Sequence, residues 1–182
     1  MIFTSLQLEG SYLINLDKKE DSRGFFSRFY CKEEFKNHGL DSTLVEINTS
    51  QTIQKGTVRG MHFQYPPKAQ TRVVRCLRGA IWDVIVDLRQ DSLSYGQWFG
   101  SELNAENRSM MYVPKGFAHG FQTLSNEVEM LYLHSEFFSP THEGSLIYDD
   151  PIVGIHWPLP ISEISNRDAT NPFLNELKTI TL

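Results

Sequence analysis

The sequence predicts an all-β domain, either a sandwich or a barrel of short strands with small helices outside. Apolar and polar residues alternate with period two in several segments, most segments are rich in β-branched or aromatic residues, and Gly, Pro, Asn and Asp separate them. A parallel βαβ arrangement would need long helices between the strands, and none is indicated. The chain has 182 residues, 40% of them hydrophobic, so we expect one domain over 1–182 with a sizeable core.

The first two elements are a strand and a short helix. The alternating segment SYLINL predicts the strand. The helix is predicted from Lys32 to Asn37 in KEEFKNHGL, because these residues are tolerable helix formers. Gly39 follows and can adopt the left-handed conformation that ends many helices.

The central strands carry the strongest β signal. In the strand VRGMHFQ, Gly60 marks a bulge or a close approach of two backbones. The next strand, TRVVRCLRG, follows the turn YPPKAQ and ends at Gly79. In AIWDVIVDLR, alternation separates two faces, one with Trp82, Val84, Val86 and Leu88 and the other with Asp83, Ile85 and Asp87.

The remaining segments complete the β series and lead into the tail. SMMYVPKG, HGFQTLS and VEMLYLHSEFF are further strands. In the tail, LPISEISNRDATNP predicts a short helix or a turn, and NPFLNELKTI predicts another helix.

Composition excludes several classes of protein. The net charge of −5 argues against non-specific binding to nucleic acid. No apolar run approaches the roughly 18 residues of a membrane helix, and no basic, apolar signal segment follows Met1. The two cysteines, Cys31 and Cys76, cannot form a disulfide framework. We therefore expect a cytoplasmic protein that binds neither membranes nor nucleic acid, although clustered arginines in the first half allow an anionic small ligand.

His62 is the first candidate for chemistry. Strand alternation places His62 and Gln64 on one face and Met61 and Phe63 on the other. In a barrel one of these faces lines the lumen, so a polar face there makes a site possible. From the residues alone, His62 is a packed core residue, a metal ligand or a general base.

Metal binding and nucleophilic catalysis are both weakly supported. Small metal-binding barrels use His-x-His with a later Glu and another His, whereas position 64 is Gln here and only His119 follows, in PKGFAH. There is no G-x-S-x-G motif, no cysteine with an obvious base and no phosphate-binding Gly-rich loop.

General acid–base chemistry remains, because histidine titrates near neutral pH without large tuning. Tyr132 is a candidate acid and shares a strand face with Val128, Met130 and His134. Spacing alone does not place Tyr132 across a cavity from His62. It also does not choose the carboxylate that would orient His62, for which the candidates are Asp83, Asp87, Asp149, Asp150 and Asp168.

Several segments together resemble the dTDP-4-dehydrorhamnose 3,5-epimerase family, which acts on nucleotide-linked 4-keto-6-deoxyhexoses. The most specific are RGMHFQ, PKGFAHGF and GIHWP in family order, supported by DSRGFFSRFYCKEEF, NTSQTIQKGTVRGMHFQ and SNRDA. They run from about Asp21 to Asp168. The resemblance implies a cupin-like double-stranded β-helix (jelly-roll) barrel, usually a homodimer, that works without a metal or nucleotide cofactor.

The resemblance also implies catalytic roles. His62 matches the general base, Asp168 in NRDA matches the aspartate that orients it, and Tyr132 matches the acid on the other face of the sugar. The substrate's C4 ketone would acidify the hydrogens on C3 and C5 and pass through an enolate. Arg72 stands where the family has a lysine next to the developing oxyanion, and we expect Arg72 to stabilise that charge.

The resemblance assigns a further set of residues to substrate binding. Arg23 and Arg59 match contacts to the nucleotide and diphosphate. Phe138 matches a tyrosine that stacks on the base. The other positions that it assigns to binding are Phe26, Asn48, His119, Glu143 and Arg167, and also Arg28, whose residue type departs from the family.

Departures from the family pattern lie at the nucleobase end, where Arg28, Glu46 and Ile47 replace the usual Glu, Gln and Asp. The family default is a dTDP-linked sugar, and these departures leave the nucleobase open. Two alternatives stay open. One is a C3-only epimerase or a ketoisomerase on a related nucleotide sugar, and the other is a non-catalytic or metal-binding cupin.

Overall fold

Short β-strands make up nearly all the regular structure of the computed structural model, which describes residues 1–182. In chain order they are β1 (Ile2–Ser5), β2 (Tyr12–Asn15), β3 (Lys19–Asp21), β4 (Gly24–Phe26), β5 (Glu46–Thr52), β6 (Thr57–Gln64), β7 (Arg72–Arg78), β8 (Ala80–Asp87), β9 (Trp98–Asn104), β10 (Met110–Val113), β11 (Phe117–Thr123), β12 (Val128–His134), β13 (Glu143–Ser145) and β14 (Glu163–Ile164).

Two antiparallel sheets face each other. One has the strand order β1-β2-β10-β7-β12-β5, and the other has the order β13-β6-β11-β8-β9, with β14 added in parallel to β6. From β6 to β12 the chain crosses repeatedly between the sheets, so strands adjacent in sequence seldom pair. This is the cupin-like jelly-roll barrel that was predicted. β3 and β4 form a separate two-stranded hairpin.

Three apolar clusters hold the barrel together, one between the sheets and one on the outer face of each. The two faces of β8 separate as predicted, since Ile85 packs between the sheets while Val84 and Val86 pack outside. The C-terminal segment covers that outer face with residues such as Leu146 and Leu174. The other outer face is covered by the helix, through Phe35.

The helix, α1 (Lys32–Asn37), has the predicted bounds, and Gly39 follows it at φ +71°. No helix in the structure is long and apolar enough to cross a membrane. Besides β14, the tail contains two 3₁₀ turns, Asp168–Thr170 and Leu174–Glu176. The first agrees with the predicted helix or turn, and the helix predicted in NPFLNELKTI is reduced to the single 3₁₀ turn Leu174–Glu176. This segment runs over the sheet and buries Leu174 and Ile180 against it. Its apolar side chains are therefore covered without a longer helix.

Gly60 brings β6 and β11 unusually close, as the sequence suggested. Its φ is +127°, and a Cβ atom at this position would lie 2.6 Å from the Cα of Gly120. The register of the two strands shifts between His119 and Phe121, and His62 is paired with His119 just before the shift. A glycine is therefore required for these two histidines to lie side by side on adjacent strands.

Candidate active site

A polar cavity of about 290 Å³ opens between the two sheets. Its walls come from the inner faces of β5, β6, β7, β11 and β12, and from the segment after β12. Eight of the residues singled out in the sequence line this cavity: Asn48, Arg59, His62, Arg72, His119, Tyr132, Phe138 and Glu143. The barrel therefore collects into one cavity side chains that are spread over about a hundred positions of the chain.

His62 is paired with Asp168. The His62 Nε2 lies 2.7 Å from Oδ1 of Asp168, and the other carboxylate oxygen accepts the backbone N–H of Gly60 at 3.2 Å. A carboxylate only accepts hydrogen bonds, so Nε2 of the neutral imidazole carries the proton and Nδ1 keeps a free lone pair. Burial raises the pKa of Asp168, but the hydrogen bond from His62, its charge and the Gly60 N–H outweigh burial and hold that pKa below its usual value. The carboxylate stays ionised and can stabilise a protonated His62.

The other candidate carboxylates have different partners. Asp83 is fully buried and accepts from Nε2 of His119 at 2.7 Å, which makes a second His–Asp pair beside the first. Asp87 is bound by Arg89, Ser92 and Ser94, Asp150 accepts backbone N–H groups of the tail, and Asp149 is exposed. Only Asp168 is bonded to His62.

Tyr132 and Arg72 lie on the sheet opposite His62. The Tyr132 hydroxyl is 3.0 Å from the Ser50 hydroxyl, and burial raises the pKa of Tyr132, so the phenol is protonated at neutral pH. The Arg72 guanidinium donates to the His62 carbonyl oxygen at 2.9 Å. Burial lowers the pKa of Arg72 to about 10, which still leaves it cationic at neutral pH. A proton acceptor, a proton donor and a positive charge therefore share the cavity.

The remaining residues that line the cavity suit an anionic ligand with an aromatic part. Arg59 lines both this cavity and a neighbouring depression, which it shares with Arg167 and Asp168. Arg167 forms a 2.6 Å salt bridge with Glu143. The Phe138 ring is about half exposed at the rim.

Besides Arg167, which lines only the neighbouring depression, three predicted binding residues do not reach the cavity of their own chain. Arg23 and Phe26 belong to the β3–β4 hairpin, where Arg23 pairs with Asp21 at 2.6 Å and the Phe26 ring is 78% exposed. Arg28 follows the hairpin and pairs with Glu34. None of the three lines the cavity.

Three polar residues of the cavity wall have no role assigned from the sequence, namely Ser50, Gln70 and His134. For His134 there was a signal, because it shares a strand face with Tyr132, and their rings stack with centroids 6.2 Å apart. Ser50 lies opposite Met130 on the neighbouring strand, and Gln70 lies in a loop. Neither position has a pattern that could have been recognised in the sequence.

These features define a class of protein, a cupin-like barrel with a His–Asp pair, a buried tyrosine and an arginine in one cavity. The model of the family described as dTDP-4-dehydrorhamnose 3,5-epimerase matches residues 5–176. The chain belongs to this family.

Relatives and solved structures agree. A dTDP-4-dehydrorhamnose 3,5-epimerase of Sinorhizobium fredii is 43% identical over 178 residues, which are 97% of this chain and 91% of the relative. The crystal structure of the enzyme with the same name from Elizabethkingia anophelis has a TM-score of 0.94 at 36% identity and covers 97% of both chains. The structure of a dTDP-6-deoxy-D-glucose-3,5-epimerase from Legionella pneumophila, in complex with dTDP-4-keto-L-rhamnose, has a TM-score of 0.90 at 34% identity, with 97% of this chain and 94% of that chain covered.

Proposed function

We propose that this chain inverts C3 and C5 of dTDP-4-dehydro-6-deoxyglucose to give dTDP-4-dehydrorhamnose, with His62 as the base and Tyr132 as the acid. Family membership supports the epimerase activity and the dTDP-sugar substrate. One observation carries the residue assignment. The His62–Asp168 pair and the protonated Tyr132 stand on opposite sheets of one cavity, so they can reach opposite faces of a bound sugar ring.

Proton abstraction next to a ketone accounts for the roles of these groups. The C4 carbonyl acidifies the hydrogens on C3 and C5, so the Nδ1 of His62 can take one of them and leave an enolate. The imidazolium that forms is stabilised by Asp168. Tyr132 then gives its proton to the same carbon from the other face, which inverts the centre. The imidazolium and the tyrosinate exchange protons with solvent before the second centre reacts, so the reaction is balanced without a redox step or a cofactor.

Arg72 stabilises the enolate in this proposal. The negative charge develops on O4, and one fixed donor at such an oxyanion is commonly worth about 3–4 kcal/mol. Both protein acceptors of the Arg72 guanidinium are uncharged, the His62 carbonyl and the Gln70 amide, so no carboxylate is hydrogen-bonded to it, and Glu143 acts on it only through space. A cation without a directly bonded counter-ion in a cavity favours an anionic transition state.

Substrate binding completes the proposal. Arg59, with Arg167 held by Glu143, would contact the diphosphate, Phe138 would stack on the base, and Asn48 and His119 would hydrogen-bond the sugar. This cytoplasmic, single-domain enzyme would act on the free nucleotide sugar and bind neither membranes nor nucleic acid.

We propose a homodimer, because the binding set is incomplete within one chain. Arg23, Phe26 and Arg28 lie on or after the exposed hairpin, away from their own cavity, and the hairpin of a second copy can supply them. Two inactive variants test this. Arg23→Ala and His62→Ala chains should regain activity when mixed and refolded together, since some mixed dimers contain one intact site. Failure to regain any activity, or a monomer in sedimentation, would contradict the proposal.

The role of His62 is tested by deuterium exchange into dTDP-4-keto-6-deoxyglucose in D₂O, followed by NMR. His62→Ala should abolish exchange, because His62 is the base in this proposal and the second His–Asp pair, His119 with Asp83, is assigned to substrate binding. His156→Ala is the matched control, since His156 is exposed and lies outside the cavity. Exchange that survives in His62→Ala, or is lost equally in His156→Ala, would refute the assignment.

A further inference from the structure

Two hydrogen-bond acceptors hold the Arg72 guanidinium in place. Its Nη1 donates to the His62 carbonyl at 2.9 Å, and its Nη2 donates to the Gln70 side-chain oxygen at 3.1 Å when the Gln70 amide is oriented with that oxygen toward Arg72. Because the guanidinium is planar, two acceptors at its two terminal nitrogens fix both its position and its plane. The Gln70 amide therefore fixes one of the two terminal nitrogens of the Arg72 guanidinium.

Only one orientation of the Gln70 amide satisfies its neighbours. With its oxygen toward Arg72, its NH₂ group donates to Nδ1 of His134 at 2.9 Å and to the Glu136 carbonyl at 3.2 Å. In the opposite orientation, the NH₂ group would face the guanidinium donors of Arg72 and leave the amide oxygen against the Glu136 carbonyl. Gln70 is buried, so such unmatched groups would be costly.

His134 can fix this orientation only as a neutral ring whose Nδ1 accepts. The barrel places it between charged neighbours, since it pairs across the strands with Glu46 on one side and Arg72 on the other, and Tyr132 stacks on it. Burial, followed by the charges of Arg72 and His119, lowers the pKa of His134 to about 4. The proton of the neutral ring is on Nε2, because Nδ1 receives the Gln70 N–H.

We propose that His134 and Gln70 are positioning residues for the oxyanion-stabilising Arg72. His134 accepts from the Gln70 NH₂ group and thereby turns the Gln70 oxygen toward Arg72, which locks the guanidinium in the cavity. Neither residue takes part in proton transfer. The proposal rests on the role given to Arg72 under the proposed function, and the hydrogen-bonded arrangement itself can be tested without turnover.

Kinetics of paired variants test the proposal. His134→Leu removes the acceptor, whereas the Oδ1 of His134→Asn can replace Nδ1. We expect His134→Leu to lower kcat about tenfold at nearly constant KM, in line with the loss of one hydrogen bond that supports a charged group, and His134→Asn to stay within about twofold of wild type. Gln70→Leu should resemble His134→Leu. Equal loss in His134→Asn and His134→Leu, or a change confined to KM, would overturn the proposal.

A double-mutant cycle shows whether the effect passes through Arg72. Arg72→Lys keeps the charge but has no planar fork for Gln70 to hold. In the Arg72→Lys background, His134→Leu should therefore cost less than about twofold in kcat. The same tenfold loss in both backgrounds would mean that His134 acts by another route, and the proposal would be wrong.

A spectroscopic measurement separates this proposal from the proposed function. In ¹⁵N NMR of the free enzyme, His134 should be the neutral Nε2–H form at pH 6, with an Nδ1 that accepts a hydrogen bond. Gln70→Leu should remove the shift that this hydrogen bond causes. If the wild type shows no deuterium exchange but these signals are as expected, the proposed function fails while the arrangement stands. A protonated ring or an Nδ1–H form at pH 6 would refute the arrangement itself.

Discussion

Replacing Asp168 with Asn removes the charge behind the base. The side chain keeps nearly the same shape, but its one oxygen can accept from Nε2 of His62 or from the Gly60 N–H that Asp168 binds at 3.2 Å, and not from both. What is lost is the negative charge 2.7 Å from Nε2 of His62, together with one of these two hydrogen bonds. The imidazolium that forms when His62 takes a proton from the substrate then lacks its counter-charge.

The size of the effect follows from the geometry of the pair. Two unit charges about 4 Å apart attract by about 4 kcal/mol at an effective dielectric constant of about 20. Asp168 is buried but His62 is about one-third exposed, so water in the cavity screens part of this attraction. We therefore expect the barrier to rise by about 2–4 kcal/mol, which corresponds to a fall in kcat of about 30-fold to 1,000-fold.

The assay is the rate of deuterium exchange and of product formation, with thermal unfolding measured beside it. Asp149→Asn is the matched control, because Asp149 is exposed and outside the cavity. A fall in kcat of less than about threefold in Asp168→Asn, with the fold intact, would refute the reasoning that the charge of Asp168 supports His62. An equal fall in Asp149→Asn would point to a general electrostatic effect instead.

Three further predictions follow from the same structure. Tyr132→Phe should stop inversion while His62 still exchanges the substrate hydrogen with D₂O, so NMR should show label in substrate of unchanged configuration; inverted product would contradict the role of Tyr132. Arg72→Leu should lower kcat by about 100-fold or more through the lost oxyanion contact, measured at saturating substrate, and a change in KM alone would contradict it. Asp87→Asn should lower the free energy of unfolding at pH 7 by about 3 kcal/mol, since it leaves Arg89 without its buried partner. Burial raises the pKa of Asp87, but its hydrogen bonds lower the pKa by more, so the folded pKa lies below the ordinary 3.8. The stabilisation by Asp87 is full above about pH 4 and is lost as the pH falls through the folded pKa. Denaturant unfolding should therefore show wild type and Asp87→Asn converging below pH 4, and a gap that stays constant with pH would contradict the prediction.

Local patterns predicted the fold well. The period-two alternation in β8 was enough to assign its two faces, because each face packs into a separate apolar cluster. The helix bounds were also predicted, since Gly39 ends α1 through a local backbone preference. The structure of the tail was harder to predict, because Leu174 and Ile180 are placed by contacts with a sheet that is distant in sequence and not by their own helical preference.

The candidate site depends on contacts that local patterns do not encode. His62 and Asp168 are 106 positions apart, and five carboxylates were equally eligible until the family resemblance favoured one. Gln70 and His134 meet through a hydrogen bond between a loop and a strand that are 64 positions apart in sequence. Such pairs are set by the topology of the barrel, so they become visible only when the strands are placed in space.

The central claim is that both C3 and C5 are inverted, and the most direct measurement is complete turnover of dTDP-4-keto-6-deoxyglucose by the wild-type enzyme in D₂O. The product is analysed by NMR for the position of deuterium and for the configuration of each carbon. We expect one deuteron at C3 and one at C5, with both centres inverted. Deuterium and inversion at C3 alone, or an unchanged substrate without label, would contradict it.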